Sequence, residues 1–198
     1  AATRFNRPGL EIVNHYTYVI AGDGDLMEGI SAEASSLAGH LGLGKLILIY
    51  DSNQITIEGS TELAFSESVK ERYRAYGWQV LEVDGHNIPE FQKTLVQAQQ
   101  NQAQPTLIIA HTQIAKGAPT KVGTAASHGA PLGVDEVVGL KTALGLPSDK
   151  DFYVPDDLKN LPELMTQKGQ GMEAEWNQLF EQWTKENPQL AEEWNTWL

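Results

Sequence analysis

Apolar residues along this chain fall into short continuous runs separated by stretches of helical period, and the two kinds alternate. Residues 15–21 (HYTYVIA), 45–50 (KLILIY), 78–83 (WQVLEV) and 106–111 (TLIIAH) are β-branched, aromatic and aliphatic, and they predict four strands. The KLILIY run has no polar alternation, as expected of a strand covered on both faces. Between these runs, residues 30–41, 66–76, 88–100 and 135–144 predict helices. Gly42, Gly77 and Gly145 stop three of them, and a Ser66-Glu67-Ser68 stretch opens the second. In the first, Ala32, Ala34, Ala38 and Gly39 predict a small-residue face that packs closely on a sheet. Strand and helix in alternation predict an α/β fold, a mostly parallel sheet flanked by helices.

The rest of the pattern is less regular. Residues 51–65 and 112–133 show no clear period and predict long connections; the second is rich in Gly, Pro and Ala, and loops of that length are usually functional. Beyond Pro147 the composition turns polar. From about Met172 a helix is predicted with Trp176, Phe180 and Trp183 on one stripe, then Pro188 and a further helical turn bearing Trp194 and Trp197. Such a stripe is the mark of a packing face. Residues 1–150 are therefore expected to form the α/β domain, and 151–198 a connection and helical extension packing on it. The opening residues read as the end of a helix, with Arg4 and Arg7 in its last turn and Pro8-Gly9 stopping it, so the chain is expected to begin inside a longer protein.

Composition narrows the function classes. The 198 residues carry 14 Lys and Arg against 26 Asp and Glu, a formal charge of -12 that argues against a nucleic-acid partner. No apolar run reaches membrane-spanning length, and with no cysteine there is neither a disulfide framework nor thiolate chemistry. A cytoplasmic location is the expectation.

The candidate chemistry lies between Gly22 and Asn53. Gly22-Asp23-Gly24 ends the first predicted strand, and Asp51-Ser52-Asn53 ends the second. In a parallel sheet ligands bind beyond the carboxyl ends of the strands, so Asp23 and Asn53 meet in one crevice. A hard cation such as Mg2+ takes carboxylate, amide and carbonyl oxygens together with phosphate oxygens. Asp23, Asn53 and the carbonyl of Ile55 form a candidate set of that kind. Gly22 and Gly24 are expected to turn the chain tightly and let the backbone approach a phosphate. The helix starting near Met27–Ile30 is expected to face an anion with its first N–H groups. Ile55 and Ile57 are apolar where a loop should be polar.

The stretch GDGDLMEGISAEASSLAGHLGLGKLILIYDSNQITIEG resembles the thiamine-diphosphate motif of transketolases. RYRAYGWQV, SHGAPLG, the opening FNRPGLEIVNHYTYVI and the closing AEWNQLFEQW are similar to that family as well, so the resemblance covers nearly the whole chain. It implies the thiamine-diphosphate-binding fold of the diphosphate (PP) type, with thiamine diphosphate and Mg2+ (or Ca2+ or Mn2+ in its place) as cofactors. It implies Mg2+ ligation by Asp23, Asn53 and Ile55, and diphosphate contacts by Gly24 and Asn53. Glu28 matches a position near the cofactor and a dimer contact, or is a first-turn carboxylate favoured by the helix dipole. Glu33 matches a second acidic position linking two cofactor sites, or lies on a solvated face.

The resemblance also implies that His128 contacts the diphosphate and the sugar substrate, where an imidazole can stabilise developing negative charge. Ile114 is expected to pack against the cofactor ring. The family pattern of Ile-Gly, an aromatic and Gly is here Ile114-Ala115-Lys116-Gly117, and Ala125 stands where some members have a histidine. The activity implied is transfer of a two-carbon glycolaldehyde unit from a ketose phosphate to an aldose phosphate. The partners implied are a pyrimidine-binding domain, of the same or another chain, and a second copy in a homodimer. Two alternatives stand beside this reading. One is a non-catalytic fragment or one subunit of a split enzyme; the other is a different thiamine-diphosphate enzyme such as deoxyxylulose-phosphate synthase.

Overall fold

The computed structural model describes residues 1–197. In chain order its elements are α1 (Ala2–Phe5), β1 (Thr17–Gly22), α2 (Asp23–Met27), α3 (Gly29–His40), β2 (Leu46–Ser52), β3 (Ile55–Thr56) and β4 (Gly59–Ser60). Then come α4 (Val69–Ala75), β5 (Gln79–Asp84), α5 (Ile88–Gln100), β6 (Thr106–His111), α6 (Val134–Ala143), α7 (Leu161–Glu186) and α8 (Pro188–Trp197). They divide into two units: residues 16–150, and residues 1–15 together with 151–197.

The larger unit is built on a four-stranded, all-parallel sheet in the order β1-β2-β6-β5. Alternation along β2 and β6 divides its core between two faces. Leu48, Tyr50, Leu107 and Ile109 pack on one side with Ala38 of α3 and Val69 and Tyr73 of α4. Ile47, Ile108 and Ala110 pack on the other with Ala98 of α5, supported by Phe91 and Leu95. The apolar run of β2 is thus covered on both faces, as expected. α3 docks through Ser35, Ala38 and Gly39, whereas Ala34 of the expected face is exposed. A Cβ on Gly39 would sit 1.8 Å from the Tyr76 carbonyl oxygen, so only glycine permits this approach. β1 is an edge strand, and Tyr18, Val19 and Ile20 are exposed on it.

Local chemistry explains the ends. α5 starts at Asn87, whose side chain accepts from the Glu90 N–H, with Pro89 in its first turn. α4 starts three residues later than expected, at Val69, because Ser68 is the residue whose hydroxyl accepts the Glu71 N–H. The 51–65 connection contains the β3–β4 hairpin and a 3-10 turn at Thr61–Leu63. The 112–133 connection holds only a 3-10 turn at Ala125–Ser127.

In the other unit Trp183 is fully buried among Phe5, Leu10, Ile12 and Ala191, and its indole N–H donates to the Phe5 carbonyl at 2.8 Å. The apolar residues of the first fifteen positions therefore group with the C-terminal helices rather than with the sheet unit. α1 ends at Phe5 with Arg4 in its last turn, while Arg7 lies beyond it in a tight turn with Leu10. α7 begins at Leu161, well before the expected Met172, and its first part is exposed, so no burial period marks it in the sequence. No helix among the described residues is long and apolar enough to cross a membrane.

Candidate functional site

Parallel pairing sets Gly22 beside Asp51 and Ser52 beside His111, so the carboxyl ends of the strands open onto one side of the sheet. A cavity of about 1180 Å³ lies there. Gly22, Asp23, Gly24, Glu28, Asn53, Ile55, Ile114 and His128 all line it. Five carboxylates (Asp23, Asp25, Glu28, Asp51 and Glu58) border this space, and no described lysine or arginine does.

Asp23 is the centre. It is 3 % exposed and begins the single turn α2. Its Oδ1 accepts from the Tyr50 hydroxyl at 2.5 Å, and its Oδ2 accepts from the backbone N–H groups of Asn53 (3.2 Å) and Gln54 (2.9 Å). Gln54 adopts φ 62, a left-handed conformation rare outside glycine. Three donors occupy three of the roughly four lone-pair directions of a carboxylate, leaving Oδ1 with one to offer. Burial first, then donation to Asp23, pushes the Tyr50 phenol well above its ordinary range, so it remains a donor at neutral pH.

Asn53 is held similarly. Its Nδ2 donates to Asp51 Oδ2 at 3.4 Å, and its Oδ1 accepts the Ile55 N–H at 3.0 Å with a second lone pair still available. Asp51 also accepts from the Thr112 hydroxyl. Among the described residues no group of three or more His, Cys, Asp or Glu forms a metal cluster. One carboxylate, one amide oxygen and a backbone carbonyl would suit a cation that takes its remaining ligands from a bound molecule.

Gly22 has φ −94 and Gly24 lies within α2, so neither makes a left-handed turn. A Cβ on Gly24 would meet nothing within 4 Å, and the residue borders the cavity. Gly22 N–H donates to Asp25 Oδ2 at 2.8 Å, closing the turn. α3 starts at Gly29; α2 borders the cavity through Asp23, Gly24, Asp25 and Met27, and α3 only through its N-cap residue. Glu28 sits at the N-cap of α3, bordering the cavity without a side-chain cap bond. Glu33 is exposed on α3.

Ile114 and His128 reach the cavity from the 112–133 loop. Ala115, where the resembling pattern has glycine, adopts φ 53. His86, assigned no role in the sequence reading, borders the same space; its Nε2 accepts the Gln113 N–H at 2.9 Å, which places the proton of the neutral ring on Nδ1. Tyr50, Asp51, His86 and Thr112 were all missed, although each lies at or just past a strand's carboxyl end.

Comparison with known proteins agrees with this geometry. A family model described as "Transketolase, thiamine diphosphate binding domain" matches residues 1–198. The chain is 49% identical over 191 residues to the transketolase of Halalkalibacterium halodurans, covering 96% of this chain and 28% of that protein. It is 48% identical over 192 residues to the Geobacillus stearothermophilus transketolase, covering 96% and 29%. Among solved structures, Pichia stipitis transketolase in complex with sedoheptulose 7-phosphate superposes with a TM-score of 0.89 at 41% identity, covering 96% of this chain and 28% of that one. Transketolase from Leishmania mexicana does so at 0.88 and 42% identity, covering 94% and 28%. The chain therefore spans little more than a quarter of the length of these relatives. Motif, parallel sheet and comparisons agree that this chain belongs to the transketolase family, matching its thiamine-diphosphate-binding domain.

Proposed function

We propose that this chain supplies the diphosphate- and metal-anchoring part of a transketolase, which moves a two-carbon ketol unit from a ketose phosphate to an aldose phosphate. The observation that carries this reading is the buried Asp23 beside Asn53, in a cavity bordered by five carboxylates and no described cation. An anionic diphosphate would be repelled there unless a divalent cation came with it. Asp23, the Asn53 amide oxygen and the Ile55 carbonyl would hold Mg2+, and Gly24 would leave room for the diphosphate. Thiamine diphosphate, when bound, supplies the carbanion chemistry of ketol transfer. The chain's own residues orient it. Tyr50, with the N–H groups of Asn53 and Gln54, holds the Asp23 carboxylate in a fixed orientation. Ile114 offers an apolar contact to the ring, and His128 a hydrogen-bond donor to the diphosphate and the sugar phosphate. Glu28 lies at the mouth, where a second copy would contact it.

Exposed apolar residues on β1 and α3 (Ile20 at 76%, Ile30 at 70%) support further protein packing against this unit, from a pyrimidine-binding domain and a homodimer partner. The short span relative to the relatives favours a second reading, in which the chain anchors cofactor but needs that partner for turnover.

Calorimetric titration of thiamine diphosphate into the chain, with and without Mg2+, tests both readings. Mg2+-dependent binding that Asp23→Asn abolishes is the expected result. Failure to bind even with a pyrimidine-domain partner present would sink the anchoring role, and ketol transfer by the chain alone would sink the need for a partner.

A further inference from the structure

The 112–133 loop brings Ile114 and His128 to the cavity without regular secondary structure, so something must define its path. The Glu136 carboxylate, in the first turn of α6, accepts from the Thr120 N–H (3.1 and 3.2 Å to its two oxygens), from the Thr120 hydroxyl and from the Lys121 N–H (3.4 Å). Few side chains in the molecule gather so many donors from a segment outside their own helix. The Thr120 hydroxyl above all, followed by the two backbone N–H groups, holds the Glu136 carboxyl below the usual carboxylate range.

From this point the loop is tied toward both site residues. In one direction, the Gly123 N–H donates to the Ile114 carbonyl at 2.9 Å. In the other, the Thr124 hydroxyl donates to the Lys121 carbonyl (2.9 Å), Ser127 donates twice to the Thr124 carbonyl, and the His128 N–H donates to Ala125 (3.0 Å). The Lys121 ammonium donates to the Pro131 carbonyl at 3.3 Å, closing the far end. Pro119 lies against Gly139 of α6 so closely that a Cβ there would be 2.2 Å from its ring, which seats the loop beside the carboxylate.

We propose that Glu136 is a positioning residue of the cofactor site, acting as the clamp that fixes the loop so that Ile114 and His128 both face the cavity. This rests on the anchoring function proposed above. A loop that must be ordered before ligand binds weakens apparent affinity in proportion to the fraction out of place. Charge-assisted hydrogen bonds are the stronger kind, and a glutamine cannot present two acceptor oxygens to these donors.

The test uses the 198-residue chain and two readouts. In ligand-free protein, Glu136→Gln is expected to lower amide-exchange protection at Gly123 and His128 about tenfold. Protection at Leu144, which closes the far end of α6 through Leu140, should hold. In Mg2+–thiamine diphosphate titrations the same variant is expected to raise the dissociation constant about tenfold. Glu136→Asp, keeping the charge on a shorter arm, should fall between. Thr120→Ala, which leaves α6 intact and removes one donor, should move both readouts in the same direction by less. Unchanged protection at Gly123 and His128 would overturn the clamp. Lost protection with wild-type affinity would overturn its role in the site. If wild-type chain does not bind the cofactor even with a pyrimidine-domain partner present, the anchoring function fails instead, and the clamp is judged on the exchange result alone.

Discussion

The bond from Tyr50 to Asp23 yields a sharp prediction. Tyr50→Phe deletes one hydroxyl, leaves the ring in place among Ala21, Leu48 and Ile109, and creates almost no cavity. What is lost is a 2.5 Å hydrogen bond to a buried carboxylate. Bonds to charged groups contribute about 1.5–3 kcal/mol, and Asp23 keeps its two backbone donors, so the lower half of that range is expected. For a chain of this size each kcal/mol moves the melting temperature by about 2–4 °C, which predicts a fall of roughly 3–9 °C. Tyr73→Phe is the matched control: it deletes an equally buried hydroxyl that accepts a bond from Ser35 at 3.0 Å, with no charge involved. It should cost about 0.5–1.5 kcal/mol.

The pH dependence separates the two effects further. Burial raises the Tyr50 phenol above its unfolded value, so the folded form holds a proton that the unfolded chain has released above about pH 10. Stability from this group is complete below that pH and is lost as pH climbs toward the folded value, by about 1.4 kcal/mol per unit. Phenylalanine has no such loss, so the gap between wild type and Tyr50→Phe should narrow by about 1 kcal/mol from pH 10 to 11, the unfolded phenol being half ionised at the start of that interval. Thermal melts at pH 8, 10 and 11 measure all of this. A Tyr50→Phe cost no larger than that of Tyr73→Phe, with no narrowing above pH 10, would refute the view that Tyr50 supports the Asp23 charge.

Other outcomes follow from single residues. Ala115→Gly relieves a left-handed backbone at the cost of a looser unfolded chain, and should stabilise by about 0.5–1 kcal/mol in denaturant titrations. Gly39→Ala forces α3 off the Tyr76 carbonyl and should cost about 3 kcal/mol or more by the same measurement. Trp183→Ala should remove about 3–5 kcal/mol from the unit formed by both chain ends, seen as lost amide protection in α7 and α8.

The sheet was legible because its strands are apolar and bounded by glycine and proline, and α5 was legible from Phe91, Leu95 and Ala98 falling on one face. The hairpin of Ile55–Thr56 with Gly59–Ser60 was not, since two-residue strands carry no period. α2 was hidden because Gly-Asp-Gly-Asp favours turns by composition, and only the Asp25 carboxylate accepting the Gly22 N–H commits it to a helical turn. Asp23 and Asn53 were readable from their place after strands. Tyr50 was not, because a tyrosine ending a buried run looks like core until its hydroxyl is seen to face a carboxylate. His86 and Glu136 act through backbone N–H groups of distant loop residues, a partnership no spacing rule encodes.

The pairing of Trp183 with Phe5 spans 178 residues of chain. At typical ribosomal speeds of about 5–20 residues per second, Phe5 leaves the tunnel some 10–35 s before its partner. During that interval the central 135-residue unit can already close its sheet, while Phe5, Leu10 and Ile12 wait unpartnered until α7 and α8 emerge. α7 and α8 thus decide when Phe5, Leu10 and Ile12 stop being a liability for aggregation.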